Sequence, residues 1–251
     1  MPRWRDALNL VADLVFPRSC PGCDRTLTGQ DDAWCRQCAE HLLKAAGADY
    51  CPRCGLPVGS YLVNPSGCAA CRTNRNRLDG IARVGSYSGM VGEMVKKYKY
   101  GRRQRLDQAL GSLLAAAVAG QWWRDQVEAL VPVPTTWGSR LHYRFYPVGL
   151  LAAHVGHELS LPVLPLLYVR GKKRRQVELS HSERRRNVRG AFHLRRRVRV
   201  GGARLCVIDD VATTGSTLCE VARALKRAGA ARVYAATLAK TNPSEPHTWG
   251  A

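Results

Sequence analysis

The chain is short of acid. Its 251 residues carry 19 Asp and Glu against 39 Lys and Arg, a formal charge of +20. A field of that sign draws polyanions, whether nucleic acid, phosphorylated metabolites or an acidic membrane surface, and says nothing about fold. Long hydrophobic runs are missing: the longest apolar stretch, Leu113 to Ala119, is too short and too rich in alanine to span a bilayer, so stable membrane insertion is not expected. The first residues lack a secretory pattern, since Arg3, Arg5 and Asp6 come early and no apolar run precedes Asp13; a cytoplasmic location is expected. No Gly-Lys-Thr loop is present, so nucleoside triphosphate hydrolysis is not implied. Cysteine is scarce beyond Cys71, where only Cys206 and Cys219 occur.

The other eight cysteines form four knuckles, Cys20-x2-Cys23, Cys35-x2-Cys38, Cys51-x2-Cys54 and Cys68-x2-Cys71. In a cytosolic setting paired cysteines are metal ligands before they are disulfides. A two-residue spacer lets both thiolates of a knuckle reach one tetrahedral Zn²⁺, and two knuckles complete its shell. The eight residues therefore predict two closed, structural zinc sites. Sequential pairing encloses loops of only 11 and 13 residues, which favours it over a crossed pairing that the spacing also admits. Regular knuckles favour zinc over an iron–sulfur cluster. Ahead of them Trp4, Leu8, Val11 and Val15 fall at helical spacing, an amphipathic helix that Pro17 ends. The expected organisation is that helix over 1–18, a double zinc module over 19–75, an α/β domain over 76–241 and a tail over 242–251.

Within the α/β domain, a strand is expected over Ile81 to Ser86, then a short helix through Met90, Met94, Val95 and Tyr98 with Lys96, Lys97 and Lys99 near its polar side. A second helix follows through Leu106, Leu110, Leu113, Leu114 and Ala117. Next come a strand over Val127 to Val133, a helix over Val148 to Leu159, and a strand over Pro162 to Val169 that closes another crossover. Strands alternating with helices predict a mostly parallel sheet flanked by helices. His142, His154, His157 and His181 read as surface or core residues.

The richest stretch is Leu205 to Thr217. Four apolar residues, Leu205, Cys206, Val207 and Ile208, read as a buried strand that stops at Asp209 and Asp210. Val211, Ala212, Thr213, Thr214, Gly215, Ser216 and Thr217 follow, then helical spacing through Leu218, Val221, Leu225 and Ala228. Ligands of open α/β sheets bind beyond the carboxyl ends of strands. Here Gly215 lets the backbone curl, threonine hydroxyls add donors, and a helix N-terminus supplies its dipole, as a phosphate requires. The carboxylates suit vicinal hydroxyls, so a ribose 5-phosphate fits both halves of the turn. The bland alternative is a strand ending in Asp-Asp before a helix capped by Thr213 or Thr214.

These thirteen residues resemble the phosphoribosyl pyrophosphate (PRPP) fingerprint of type I phosphoribosyltransferases. The resemblance implies that fold, PRPP bound with Mg²⁺ by Asp209 to Thr217, and pyrophosphate held by the loop after Val131-Pro132-Val133-Pro134, where Thr135, Thr136, Ser139 and Arg140 stand.

Between Arg170 and Arg199 thirteen basic residues face only Glu178 and Glu183, a net of +11. Ser180 to Glu183 reads as a capping box opening a short helix, and Arg195 to Arg199 as a solvated hairpin edge. Two uses suit the segment. One is closing over PRPP, with Arg174 or Arg175 stabilising the charge that grows on the leaving pyrophosphate. The other is a track for single-stranded nucleic acid along Lys172, Lys173, Arg174, Arg175, Arg184 and Arg185, with Tyr143, Phe145 and Tyr146 to stack bases.

Over nearly its whole length the chain resembles the ComF family of competence-associated, phosphoribosyltransferase-like proteins. The resemblance rests on the four knuckles, the Val-Pro loop, the run from Gln176 through Leu179, Ser180, Glu183, Arg184, Asn187, Val188, Arg189, Gly190 and Ala191 to Phe192, and the Asp209-Asp210 turn. The family's usual Arg-Gly-Phe-Asn-Gln run is replaced here by Tyr143-Arg144-Phe145-Tyr146-Pro147. Two functions follow from the resemblance. One is a protein of DNA uptake that binds PRPP or a related ribose phosphate and single-stranded DNA, beside a helicase and recombination mediators. The other is an enzyme transferring phosphoribosyl from PRPP to a nitrogen nucleophile. A zinc-bearing scaffold with neither activity ranks behind both.

Overall fold

The computed structural model describes residues 18–27, 33–59, 66–73, 77–100, 105–134, 146–170 and 188–242. The expected N-terminal helix, the Ser180–Glu183 capping box and the last residues of the tail lie outside them.

Two helices belong to the cysteine-rich part, α1 (Arg36–Ala46) and α2 (Ala69–Thr73). Then come β1 (Gly80–Ser86), α3 (Gly89–Tyr100), α4 (Arg105–Ala119), β2 (Ala129–Pro132), α5 (Pro147–Leu159), β3 (Leu167–Val169), β4 (Phe192–Leu194), β5 (Arg204–Ala212), α6 (Ser216–Arg227) and β6 (Arg232–Lys240). A four-stranded sheet has the order β1-β6-β5-β2 with every neighbour parallel. Parallel neighbours cannot be joined by tight turns, so helices cross over between them and cover the sheet. On α6 the buried residues are Leu218, Val221, Ala222 and Leu225, and on α5 they include Val148, Leu151, Ala152 and Val155. Both sets keep the three-and-four spacing of a single helical stripe. Trp123 stacks flat on Tyr234 of β6 at 4.6 Å, and only a residue without a Cβ at Gly80 leaves room for that indole.

Three expectations are corrected, and one strand was not foreseen. The strand foreseen over Pro162 to Val169 is not a further parallel strand: Val163 makes only an isolated bridge to Leu130, and β3 pairs antiparallel with β4 in a separate two-stranded hood. Pro162 and Pro165 supply no N–H to a ladder, which breaks the run. The strand expected to stop at Asp209 instead continues through both carboxylates to Ala212, with Asp209 opposite Thr237 of β6. The strand expected from Val127 is shorter, because Arg124–Gln126 forms a 3-10 turn and pairing begins only at Ala129. β6, the partner of both β1 and β5, has no counterpart among the strands expected from the sequence.

The cysteine-rich part lies on the β1 side of the sheet. Leu42 of α1 joins the main hydrophobic core. The Ile81 N–H donates to the Pro52 carbonyl at 2.8 Å, and Arg53 Nη2 donates to the Leu78 carbonyl at 2.8 Å. The Arg83 guanidinium sits 4.7 Å above the Tyr50 ring, whose hydroxyl accepts from Gln121 Nε2 at 3.1 Å. On the other side of the module, Lys97 of α3 donates to the Gly22 carbonyl and Asp24 Oδ2, each at 3.1 Å.

Candidate functional site

The end of β5 gathers the acidic turn and the helix that follows it. Asp209 is buried, with 8% of its surface exposed, and its Oδ1 accepts the Asp210 N–H at 3.0 Å. Asp210 Oδ1 accepts the Val211 N–H at 2.6 Å, and its Oδ2 lies 2.9 Å from the Lys99 ammonium. Each carboxylate is thus braced by the next backbone N–H, and the outer one by a cation from α3. Burial of unbraced carboxylates at a strand end would be costly.

Beyond Ala212 the chain turns through Thr213 and Thr214 to Gly215, whose φ of 74° caps α6 in the left-handed region. That region is open to glycine without penalty. The threonine cap of the bland alternative is not formed, since Gly215 holds that position; Thr214 accepts the Ser216 N–H through Oγ1 at 3.2 Å and contacts the Ser216 hydroxyl at 2.6 Å. The leading N–H groups of a helix have no carbonyl within it, so the turn at Ser216 and Thr217 offers donors and a positive dipole end to an anion.

Underneath, Lys240 is 3% exposed, and its ammonium donates to the carbonyls of Thr213 and Thr241, the second at 2.9 Å. Burial lowers its pKa to about 8, against the neighbouring Cys54, while Arg83 pushes the same way as burial. The Thr241 N–H closes the turn by donating to Ala212 at 3.1 Å. Neither Lys99 nor Lys240 stands out as a site residue in the sequence. Lys99 is one of three lysines on a polar helix side, and Lys240 ends an apolar run. The one available signal was spacing, because Lys97 and Lys99 are two apart and so cannot share a helix face.

β2 brings the Val-Pro loop alongside. Val131 and Pro132 pair with Val207 and Ile208, the Val133 N–H donates to Ile208 at 2.9 Å, and the Tyr146 hydroxyl donates to Val133 at 2.6 Å. Tyr146 is thereby engaged with the loop and the core instead of standing free to stack a base. Thr135, Thr136, Ser139, Arg140, Tyr143 and Phe145 lie outside the described residues, as do Lys172, Lys173, Arg174, Arg175, Arg184 and Arg185.

The roots of that basic segment are defined. Arg170 donates its N–H to Ala191 at 3.0 Å, so the chain leaves and returns at one end of the hood, and the Gly190 N–H donates to Glu220 of α6 at 3.0 Å. Arg195, Arg196, Arg197 and Arg199 are exposed, as a solvated basic edge requires.

The knuckles pair in sequence. Cys20, Cys23, Cys35 and Cys38 form one group, Cys51, Cys54, Cys68 and Cys71 the other, with the sulfurs of each group within 4.8 Å of one another. The Cys23–Cys35 separation is 3.6 Å, Cys54–Cys68 3.6 Å and Cys51–Cys71 3.7 Å. A tetrahedron with Zn–S bonds of about 2.3 Å has sulfurs roughly 3.8 Å apart, whereas a disulfide would hold them near 2 Å. Backbone donors turn toward the sulfurs: Cys35 N–H to Cys20 at 3.4 Å and Cys68 N–H to Cys51 at 3.3 Å. Burial works against the Cys20 thiolate, yet the N–H groups of Cys35, Cys23 and Gly22 bring its pKa down to about 6. The donor set fits two structural Zn²⁺ ions, with no open position for a reacting water.

Residues 11–72 match the double zinc ribbon domain family, and residues 145–249 match the phosphoribosyl transferase domain family. Together with the parallel sheet, the second match makes the fold that of type I phosphoribosyltransferases. DNA utilization protein YhgH of Salmonella typhi is 32% identical over 238 residues, covering 91% of this chain and 99% of that protein. Competence protein F of Haemophilus influenzae is 26% identical over 90% of this chain and 98% of its own length. Competence protein ComFC of Bacillus subtilis is 26% identical over 92% and 94%. No helix among the described residues is long and apolar enough to cross a membrane.

Proposed function

The chain belongs to the ComF family, and from that premise we propose that it binds PRPP or a related ribose phosphate with Mg²⁺ at the Asp209–Thr217 turn, and takes part in DNA uptake through single-stranded DNA binding. The observation that carries the reading is the carboxylate pair, Asp209 buried and Asp210 partly buried, set one short turn before an anion-ready helix start. Hydroxyl acceptors and phosphate donors rarely need to adjoin; a phosphorylated sugar needs both. Asp209 and Asp210 take the vicinal hydroxyls, Thr213 to Thr217 the 5-phosphate, and Thr135 with Arg174 or Arg175 the pyrophosphate. Mg²⁺ is held mainly by ligand oxygens and water, as that ion prefers. DNA follows the basic segment through Lys172, Lys173, Arg174, Arg175, Arg184 and Arg185, whose returning end at Gly190 is bonded to Glu220 of α6.

A second reading is favoured by the bracing of the carboxylates, which suits turnover as well as binding. In it a nitrogen nucleophile attacks C1 of PRPP, the C1–O bond breaks, and pyrophosphate leaves with the bonding pair. Fixed cations near the leaving group then lower the barrier. The residues name no acceptor.

The test is a calorimetric titration of PRPP and Mg²⁺ into the zinc-loaded full chain, with and without a bound single-stranded oligonucleotide. Saturable binding that Asp209→Asn abolishes is expected. Arg174→Ala with Arg175→Ala should weaken the oligonucleotide and reduce its salt slope by about 1.4, roughly 0.7 for each single-strand phosphate no longer neutralised, while Asp209→Asn leaves oligonucleotide binding unchanged. Tight oligonucleotide binding without any PRPP binding would reduce the protein to a nucleic-acid platform.

A further inference from the structure

We propose that the outer face of the β3–β4 hood is a stacking platform for single-stranded nucleic acid, on which Tyr168 and His193 take bases and Arg170 and Arg195 take the flanking phosphates. The inference rests on reading the chain as a binder of single-stranded DNA. It gives that strand a site that uses neither the acidic turn nor any of the six basic residues assigned to DNA above.

Side chains of a ladder alternate between its two faces. Leu167 pairs with Leu194 and Val169 with Phe192, and this face is turned to the protein: Leu167 and Phe192 belong to the hydrophobic core, with Val169 and Leu194 packed against it. Tyr168 and His193, paired between them, therefore point outward. The ladder runs one residue further at each end, since the Arg170 N–H donates to Ala191 at 3.0 Å and the Arg195 N–H to Leu166 at 2.9 Å. The alternation brings Arg170 and Arg195 out on the same face as the two rings, one at either end of it. Both arginines are exposed, and none of the six residues of this face is acidic.

Tyr168 keeps 40% of its surface exposed, and its ring lies 5.5 Å from that of His193 with 30° between the planes. Two stacked rings turned away from the core present a flat π-surface to water. Every base has a π-face of its own, so such a surface accepts a strand of any sequence. Residues two apart on a strand are about 6.7 Å from each other, so a guanidinium at that distance from the ring reaches the phosphate beside a stacked base. An acidic peptide would satisfy the arginines and leave the rings unused, and a duplex keeps its base faces inside its own stack. A single strand offers phosphates and free base faces together.

The experiment is a fluorescence-anisotropy titration of the zinc-loaded full chain with an oligothymidylate and with an abasic strand of equal length. Wild type is compared with Tyr168→Thr, Tyr168→Phe and the double variant Arg170→Ala with Arg195→Ala. Wild type should prefer the strand with bases. Threonine suits a strand as tyrosine does, so Tyr168→Thr removes the ring and keeps the hood. It should bind oligothymidylate about tenfold more weakly, with the abasic strand and the salt slope unchanged, and Tyr168→Phe should keep the wild-type affinity. The arginine variant should weaken both strands and lower the salt slope by about 1.4. Oligothymidylate binding by Tyr168→Thr as tight as wild type, or an equal loss of both strands, would overturn the platform. Polyglutamate that binds wild type as tightly as oligothymidylate, and that Tyr168→Thr weakens equally, would reassign the face to acidic peptides. Failure of wild type to bind either strand would overturn the DNA reading itself, a result distinct from any difference among variants.

Discussion

The two cysteine groups have the same four-thiolate ligands and two-residue knuckles but are attached to the molecule differently. The first meets α3 through side chains: Lys97 spans to Gly22 and Asp24, and Gly22 lies against Met90. The second meets the sheet through its backbone. Pro52 accepts the Ile81 N–H, Arg53 reaches the Leu78 carbonyl, and a Cβ on Gly55 would touch Ile81 and Lys240. A side-chain contact tolerates exchange of its members, whereas a backbone contact holds only while the knuckle keeps its shape. Loss of zinc from the second group should therefore loosen the β1 edge directly, whereas the first group reaches the core through Leu42 of α1, which packs without involving the β1 edge amides.

The strongest way to break this comparison is to remove one ligand from each group. Cys54→Ser should release one of two zinc equivalents and cost on the order of 5 kcal/mol, with faster hydrogen exchange at the Ile81 amide. Cys23→Ser should release the same amount of metal while leaving Ile81 protected. Equal deprotection of Ile81 in both variants would erase the distinction.

An intermediate effect is expected where the lower end of β1 is tied without metal. Asp79 accepts the Val233 N–H at 2.8 Å and pairs with Lys226 at 2.8 Å and Arg232 at 3.3 Å. Burial raises its pKa, but Lys226, the Val233 N–H and Arg232 outweigh it, so the folded value lies below the ordinary 3.8. The ionised form is the one stabilised. Its contribution is present above pH about 4 and is lost as the pH falls through the lower folded value. Asp79→Asn should cost about 2 kcal/mol at neutral pH, and chemical denaturation should show the gap to wild type narrowing only below pH about 4. A gap that closes already at pH 6 would mean that another group is responsible.

The smallest effect belongs to the partly exposed Lys97–Asp24 pair. Lys97→Ala should change thermal stability by less than about 1 kcal/mol and leave the zinc content at two equivalents.

Much of this architecture is legible in the order of residues. Cysteine pairs announce their ligand geometry, and Leu218, Val221 and Leu225 announce the stripe of α6, because both signals are local. β6 was not legible: Val233 to Ala239 is buried throughout, and a run that is apolar but for Thr237 carries no period to separate strand from helix. The continuation of β5 through Asp209 and Asp210 was hidden for another reason. Two carboxylates look like the end of a buried strand until Lys99, about 110 residues earlier in the chain, supplies the charge that permits them. Pro162 to Val169 misled through its composition, since β-forming residues outweighed two prolines that tertiary pairing could not accommodate.

The hydrogen bond from Ile81 to Pro52 also bears on self-association. Among the described residues β1 ends the sheet, with β6 on one side only, and its outer N–H and C=O groups are a template for any passing strand. The Cys51–Cys54 knuckle occupies part of that template, as a cap on an otherwise adhesive edge. Stripping zinc from this protein, or cutting the chain between the knuckles and β1, would then yield soluble oligomers and aggregates joined edge to edge before it yielded an unfolded monomer. For the same reason the sheet is best handled with its cysteine-rich neighbour still attached.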